Sequence, residues 1–424
     1  MSLSTISPSS LIIDVREEAP VSLSKSHSST SLKSAASTEN DALSSPTLCE
    51  QNESTDIAGC DAQNGMNSRE ISLLDIAPTE LDVLAALGAR ASENIECLRI
   101  NRCRMTGDTF ASIVDSLCQF DLPNLHTLDI SQNHIGGAQA AYALHKLLTH
   151  APSIRFLYLG WNQLALADLR QLATSPSSGT YKVSYLDLRF NPLSVPQKSK
   201  SKSRSLTKTA ICNALVSDKW IDGLVAVLPD LTHVLMAQAF IDDQTLTAFM
   251  CALTRPKSRI EYIGLEWVNL GSRLTALSTI MNNLAPNLTL HLNLAANNLG
   301  DSGAEIISQS GARLTSLTLA CNFITERGTS YLARWLPKSG LVALDLSDNY
   351  FGDQGIVSLL AIDAANLDTN SFATQIKSLS LNSCCLSDTS LRLLNEGINC
   401  KWAPLKNLRI LRNNRMTPGA KLNI

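Results

Sequence analysis

Residues Leu125–Ile135 read LHTLDISQNHI. Leu125, Leu128 and Ile130 are followed by Asn133 and then by Ile135, giving the pattern L-x-x-L-x-L-x-x-N-x-L. Leu128 and Ile130 are two apart and share one face of an extended chain. One such stretch could arise by chance, but this one recurs. Aligned on the asparagine, the motif falls at Cys103, Asn133, Asn162, Asn191, Ala239, Val268, Asn297, Asn322, Asn349, Cys384 and Asn413, with most steps about 29 residues. A fixed period of this length marks a repeat architecture.

The segments after the motif carry the other half of the unit. GDSGAEIISQS follows Leu299, TERGTSYLARWL follows Ile324 and GDQGIVSLLAI follows Phe351, each a helical pattern with a small or glycine-rich start. Strand then helix at constant period predicts parallel strands joined by crossover helices. The leucines fill the space between turns, at roughly 1.5–3 kcal/mol per buried side chain. The asparagine lies where the chain leaves the strand, so its amide must satisfy backbone groups of neighbouring turns. Cys103 and Cys384 stand at that position as structural thiols. Ala239 and Val268 cannot hydrogen-bond there, so repeats five and six are expected to be the loosest part of the ladder.

These motifs resemble the leucine-rich repeat family, and the period resembles its ribonuclease-inhibitor-like branch. The resemblance covers roughly residues 71–424. It implies an α/β solenoid, a right-handed horseshoe with parallel strands on the concave side and helices on the convex side.

The rest of the chain divides around this array. Residues 1–68 hold sixteen serines in the first sixty positions and no aromatic residue, and are expected to be a disordered tail. Within them LIIDV, at 11–15, is a short candidate docking peptide. Residues 69–94 contain ISLLDIAPTELDVLAALGAR, read as an N-terminal capping helix with Thr79 as its cap and Leu81, Val83, Leu84 and Leu87 on its apolar face. Residues 95–424 form the array of about eleven repeats. Two insertions break its period. The larger contains the basic stretch 196–209, with Lys198, Lys200, Lys202, Arg204 and Lys208 and no acid, expected to be an exposed loop. The smaller, near AIDAANLDTNSF, is polar. At the end of the array Lys406, Arg409, Arg412 and Arg415 are expected to blunt an open strand edge by charge.

Composition narrows the function classes. A net charge of −3 over 424 residues offers no basic excess for nucleic acid or a membrane surface. No apolar run is long enough to span a bilayer, and the N-terminus lacks the basic and apolar regions of a secretory signal. Eleven cysteines without paired CxxC spacing suit reduced thiols and give no zinc site. A cytosolic or nuclear location is expected. No P-loop, GxSxG, HExxH or dinucleotide loop occurs, so neither enzymatic activity nor a cofactor is expected.

In the implied horseshoe, motif positions 3, 5, 7 and 8 point from the concave face. Repeats three to six place Phe156, Tyr158, Trp161, Tyr185, Phe190, Tyr262 and Trp267 there. Seven of 21 aromatic residues thus crowd one patch. Aromatic rings and arginines dominate interface energetics. Arg99, Arg102, Asp187, Arg189 and Glu266 lie around them and are expected to orient a protein partner. The chain therefore reads as a non-enzymatic scaffold that binds a protein through its concave face. A second reading follows from a resemblance to the Ran-activating branch of the same repeat family, whose members use an arginine in an early repeat loop to assist GTP hydrolysis. It implies a small GTPase as partner and Arg102 or Arg104 as the assisting residue. The acidic C-terminal tail of that branch is missing, since this chain ends KLNI.

Overall fold

Alternating apolar residues followed by an asparagine turn and an amphipathic helix give one repeating unit, and the units stack. The computed structural model describes residues 12–14, 69–75, 95–174, 180–193, 218–255, 258–284, 290–360, 375–401, 405–410 and 416. The strands are β1 (Ile12–Asp14), β2 (Glu70–Leu74), β3 (Cys97–Asn101), β4 (Thr127–Asp129), β5 (Phe156–Tyr158), β6 (Tyr185–Asp187), β7 (His233–Leu235), β8 (Tyr262–Gly264), β9 (His291–Asn293), β10 (Ser316–Thr318), β11 (Ala343–Asp345), β12 (Ser378–Ser380) and β13 (Asn407–Arg409). From β2 to β13 they form one parallel sheet in chain order, with β1 added beside β13. One layer of helices covers the sheet: α1 (Gly107–Leu117), α2 (Gly137–His150), α3 (Leu166–Thr174), α4 (Asp218–Val227), α5 (Asp243–Leu253), α6 (Leu274–Asn283), α7 (Gly300–Gln309), α8 (Glu326–Ser339), α9 (Gly352–Leu360) and α10 (Asp388–Lys401).

The middle residue of each short strand points into the space between sheet and helices. Leu128, Leu157, Leu186, Val234, Ile263, Leu292, Leu317, Leu344, Leu379 and Leu408 form one buried column. The register pairs each with the next, as Leu128↔Leu157↔Leu186↔Val234. Helix starts are capped by local side chains. Thr106 accepts from the Thr109 amide, and Asp242 accepts from the Thr245 amide at 3.0 Å.

Asparagines weld consecutive turns. The Oδ1 of Asn133 accepts from the Cys103 and Met105 amides of the preceding repeat at 2.9 and 3.1 Å, and its Nδ2 donates to the Ile100 carbonyl at 2.7 Å. Asn162, Asn191, Asn297, Asn322 and Asn349 repeat this reach-back. The Cys103 and Cys384 thiols donate to carbonyls of the preceding turn, those of Leu73 and Leu346. Ala239 and Val268 interrupt the ladder. The amides they leave behind turn to tight local contacts, Leu193 to the Asn191 carbonyl and Ile241 to the Ala239 carbonyl. A cleft of about 670 Å³ opens in the helix layer of these repeats, lined by Asp222, Cys251, Arg255, Thr275, Ala276 and Thr279.

The first expected helix begins differently. Glu70–Leu74 is a strand, paired along its length with β3, so an additional strand precedes the first recognised motif. EISLL suits this role because Ile71 is buried while Glu70 stays at the surface to pair with Arg99 at 3.0 Å. The remainder of that expected helix, including Thr79 and Leu81 to Leu87, lies outside the described residues, as do the insertion at 196–209, the AIDAANLDTNSF segment and most of the serine-rich tail.

Candidate protein-binding face

The face of the sheet opposite the helices is built from the first and third residues of each strand and the turn that follows. Because the strands are in register, equivalent residues align into rows crossing the sheet. The first row carries Phe156, Tyr185, His233 and Tyr262 on four consecutive strands. Ring centroids are 6.3 Å apart for Phe156 and Tyr185, 5.9 Å for Tyr185 and His233, and 5.8 Å for His233 and Tyr262. Tyr158 packs on Tyr185 at 5.0 Å. Burial raises the phenol pKa of Tyr158 and Tyr185 and pushes that of Tyr262 up to about 12, so all three stay neutral. Burial also lowers the pKa of His233, favouring its neutral ring.

A second row lies one turn further on. Trp161 stacks on Phe190 with centroids 3.5 Å apart, and Trp267 stands two repeats beyond. Trp161 is 52% exposed and Trp267 58%. All three have left-handed backbones, with φ of 55°, 57° and 59°. So do Arg102, Gln132, Gln238, Ala296, Cys321, Asp348 and Ser383 at the same position of other repeats. The conformation therefore belongs to the turn. What is specific to this patch is that bulky rings occupy a position where such a backbone costs roughly 1–2 kcal/mol per residue.

The charged residues expected to orient a partner are committed to neighbours within the chain. Arg99 pairs with Glu70, and Arg102 with Asp75 at 2.7 Å. Asp187 is buried, which removes it from any contact surface. Its carboxylate instead accepts from the Arg189 guanidinium at 3.0 and 2.9 Å and from the Arg189 amide at 3.0 Å. That bond to Asp187 raises the pKa of Arg189. Glu266 Oε1 accepts from Asn293 Nδ2 at 2.5 Å and from the Tyr262 hydroxyl at 3.4 Å. Its other carboxylate oxygen would lie 2.8 Å from a Cβ at residue 264, so only Gly264 leaves room for this fold-over. The patch is thus rings beside charges that are ion-paired or hydrogen-bonded within the chain.

Further rings lie at or near the surface beyond the seven aromatics that the motif positions name. His233 fills the first row on β7, at a motif position legible in the sequence, where an imidazole stands among phenyl and phenol rings. Phe240, Phe323 and Tyr350 occupy the residue just after the asparagine position, outside the motif positions expected to face a partner. They are exposed, and Phe323 stacks on Tyr350 at 5.8 Å. Among the described residues, no group of three or more His, Cys, Asp or Glu is placed to hold a metal ion, and no helix is long and apolar enough to cross a membrane.

A parallel sheet with helices on one face and a row-ordered opposite face defines an α/β repeat solenoid. Residues 121–138, 287–308 and 341–360 match the leucine-rich repeat family model. The chain is similar to the ribonuclease inhibitor of Sus scrofa, at 27% identity over 285 residues covering 63% of this chain and 61% of that protein. It therefore spans about three fifths of the length of this relative. The fold also resembles the leucine-rich repeat-containing protein LegL7 from Legionella pneumophila (15% identity, TM-score 0.41, 68% of this chain and 85% of that one). A further likeness is to a structure of the Rad7 and Elc1 complex in yeast (14% identity, TM-score 0.35, 82% and 87%). These matches support a leucine-rich repeat protein similar to the ribonuclease inhibitor.

Proposed function

We propose that this protein is a non-enzymatic scaffold that binds a protein partner on the helix-free face of its sheet, through Trp161, Phe190 and Trp267 with the Phe156–Tyr185–His233–Tyr262 row beside them. The observation that carries this reading is exposed Trp161 stacked on partly buried Phe190, with Trp267 exposed on the same row. Rigid rings on a fixed backbone lose little entropy on binding, and their desolvation supplies the affinity. Arg99, Arg102 and Arg189 are already ion-paired within the chain, so the favoured partner surface is apolar or aromatic rather than acidic.

The test is capture from native cells with the wild-type chain and with Trp161→Ala/Trp267→Ala, using Tyr142→Ala as a control for an exposed ring on α2. Partners lost with the double variant and kept with the control support the reading. Equal capture by all three, with circular dichroism showing each folded, eliminates the face.

The GTPase-activating alternative has weaker support, because Arg102 is held by Asp75 rather than presented to solvent alone. Single-turnover GTP hydrolysis by small GTPases, with and without the chain, separates the two readings.

A further inference from the structure

Strand β13 meets β12 along one edge. The Asn407 amide donates to the Lys377 carbonyl at 2.9 Å, and the Arg409 carbonyl accepts from the Leu381 amide at 2.8 Å. Peptide groups alternate in direction along a strand, so the Leu408 N–H and carbonyl face the opposite edge. An edge left in this state is a template for another strand. Here it is occupied by the chain itself. β1 runs parallel to β13 with the register Ile12↔Asn407, Ile13↔Leu408 and Asp14↔Arg409. In a parallel ladder that register sets the Leu408 N–H against the Ile12 carbonyl and the Asp14 N–H against the Leu408 carbonyl.

Two independent features fit this pairing. LIIDV is an apolar, β-branched run in a tail otherwise dominated by serine and other polar residues, and so is the part of that tail best suited to a strand. The chain can also reach. About fifty residues separate Arg16 from Ser68. They span up to on the order of 170 Å when extended. The distance across the sheet from β2 to β13 is roughly 55 Å, from strand spacing alone.

We propose that Ile12–Asp14 is a cis edge strand added to the array at β13, and that this edge is a second recognition site, for an extended apolar segment, distinct from the aromatic face. Recognition there rests on main-chain hydrogen bonds, the mode of β-strand addition. A partner peptide of similar character would have to displace the tail, so the tail acts as a built-in competitor.

Hydrogen exchange of the full chain tests the proposal, followed by mass spectrometry of a peptide covering residues 405–410. Asp14→Pro deletes the one N–H that β1 gives to Leu408, whereas Asp14→Ala keeps it. The proline variant is expected to exchange at least about tenfold faster at Leu408, with β4 and β5 unchanged and the alanine variant near wild type. A synthetic peptide of residues 9–17 added to the proline variant should restore protection. Identical exchange at Leu408 in the wild type and the proline variant overturns the pairing. Protection of the wild type that rises with protein concentration overturns the cis assignment, because a second copy would then supply the strand.

Discussion

At the scale of single residues, two motif positions show how differently sequence speaks about stability and about function. The asparagine position was legible because its chemistry is forced. A buried turn presents N–H groups that need an acceptor, and Asn297, Asn322 and Asn349 supply it at 3.0–3.1 Å to the amide of the residue before each in the ladder. The position just before it tolerates many residues, so an aromatic there carries information that composition alone does not. Trp267 sits at φ 59° with its ring 58% exposed, and neither feature helps the fold. Asn adopts the left-handed backbone more readily than Trp. Trp267→Asn is therefore expected to leave thermal stability unchanged or raise it by up to about 1 kcal/mol. The same variant should weaken partner capture by at least about fivefold. Calorimetric melting together with a binding titration against the captured partner checks both halves. A lower melting temperature would show that the ring packs for stability instead.

At the scale of elements, the strands and helices of the array were readable from period, and the failures have local causes. ISLLDIAPTELDVLAAL reads as one continuous apolar pattern, which suggests a helix from its start. Its first four residues, with Glu70 before them, instead extend the sheet, where Ile71 meets Leu98 and Glu70 meets Cys97 in register. The contacts between helix starts were also hidden, since they join residues a whole repeat apart. Asp301, the second residue of α7, accepts from the Thr325 amide at 2.9 Å just before α8. Asp353 in α9 does the same for Ser387 at 2.8 Å and also accepts from the Ser390 hydroxyl. Partial burial acts to raise the pKa of Asp353, but the serine hydrogen bonds outweigh it and the net shift is downward. A carboxyl lowered in the folded state stabilises fully above the ordinary aspartate range of about 3.9. That contribution is lost as pH falls through the lower folded value. Asp353→Ala is expected to cost about 1–3 kcal/mol at pH 7, from hydrogen bonds to a charged acceptor. The difference from wild type should shrink toward pH 3. Urea unfolding at pH 7, 5 and 3 measures it, and a pH-independent difference would mean that packing, not the carboxylate, is what was removed.

At the scale of the whole array, each repeat touches only its neighbours, so stability is a chain of interfaces and a weak one divides it. The asparagine ladder runs unbroken through Asn133, Asn162 and Asn191, and again through Asn297, Asn322 and Asn349. Between them Ala239 and Val268 leave local turns in its place, and the cleft beside Asp222 and Thr275 lies in the same repeats. The missing asparagines could be read in the sequence. How the orphaned amides would be satisfied could not, because a local turn and an inter-repeat bond use the same residues. Two cooperative blocks follow from this geometry. Asn133→Ala leaves the Cys103 and Met105 amides without their acceptor, and Asn322→Ala does so for Asn297 and Leu299. Each loss amounts to roughly 2–4 kcal/mol for two buried donors. If the ladder gap uncouples the halves, Asn133→Ala lowers protection in β3 to β6 while β9 to β12 keep wild-type exchange, and Asn322→Ala does the reverse. Native-state hydrogen exchange in low denaturant reads each block directly. A single transition, shifted equally in every strand by either substitution, would show that the buried leucine column carries cooperativity across the gap by itself.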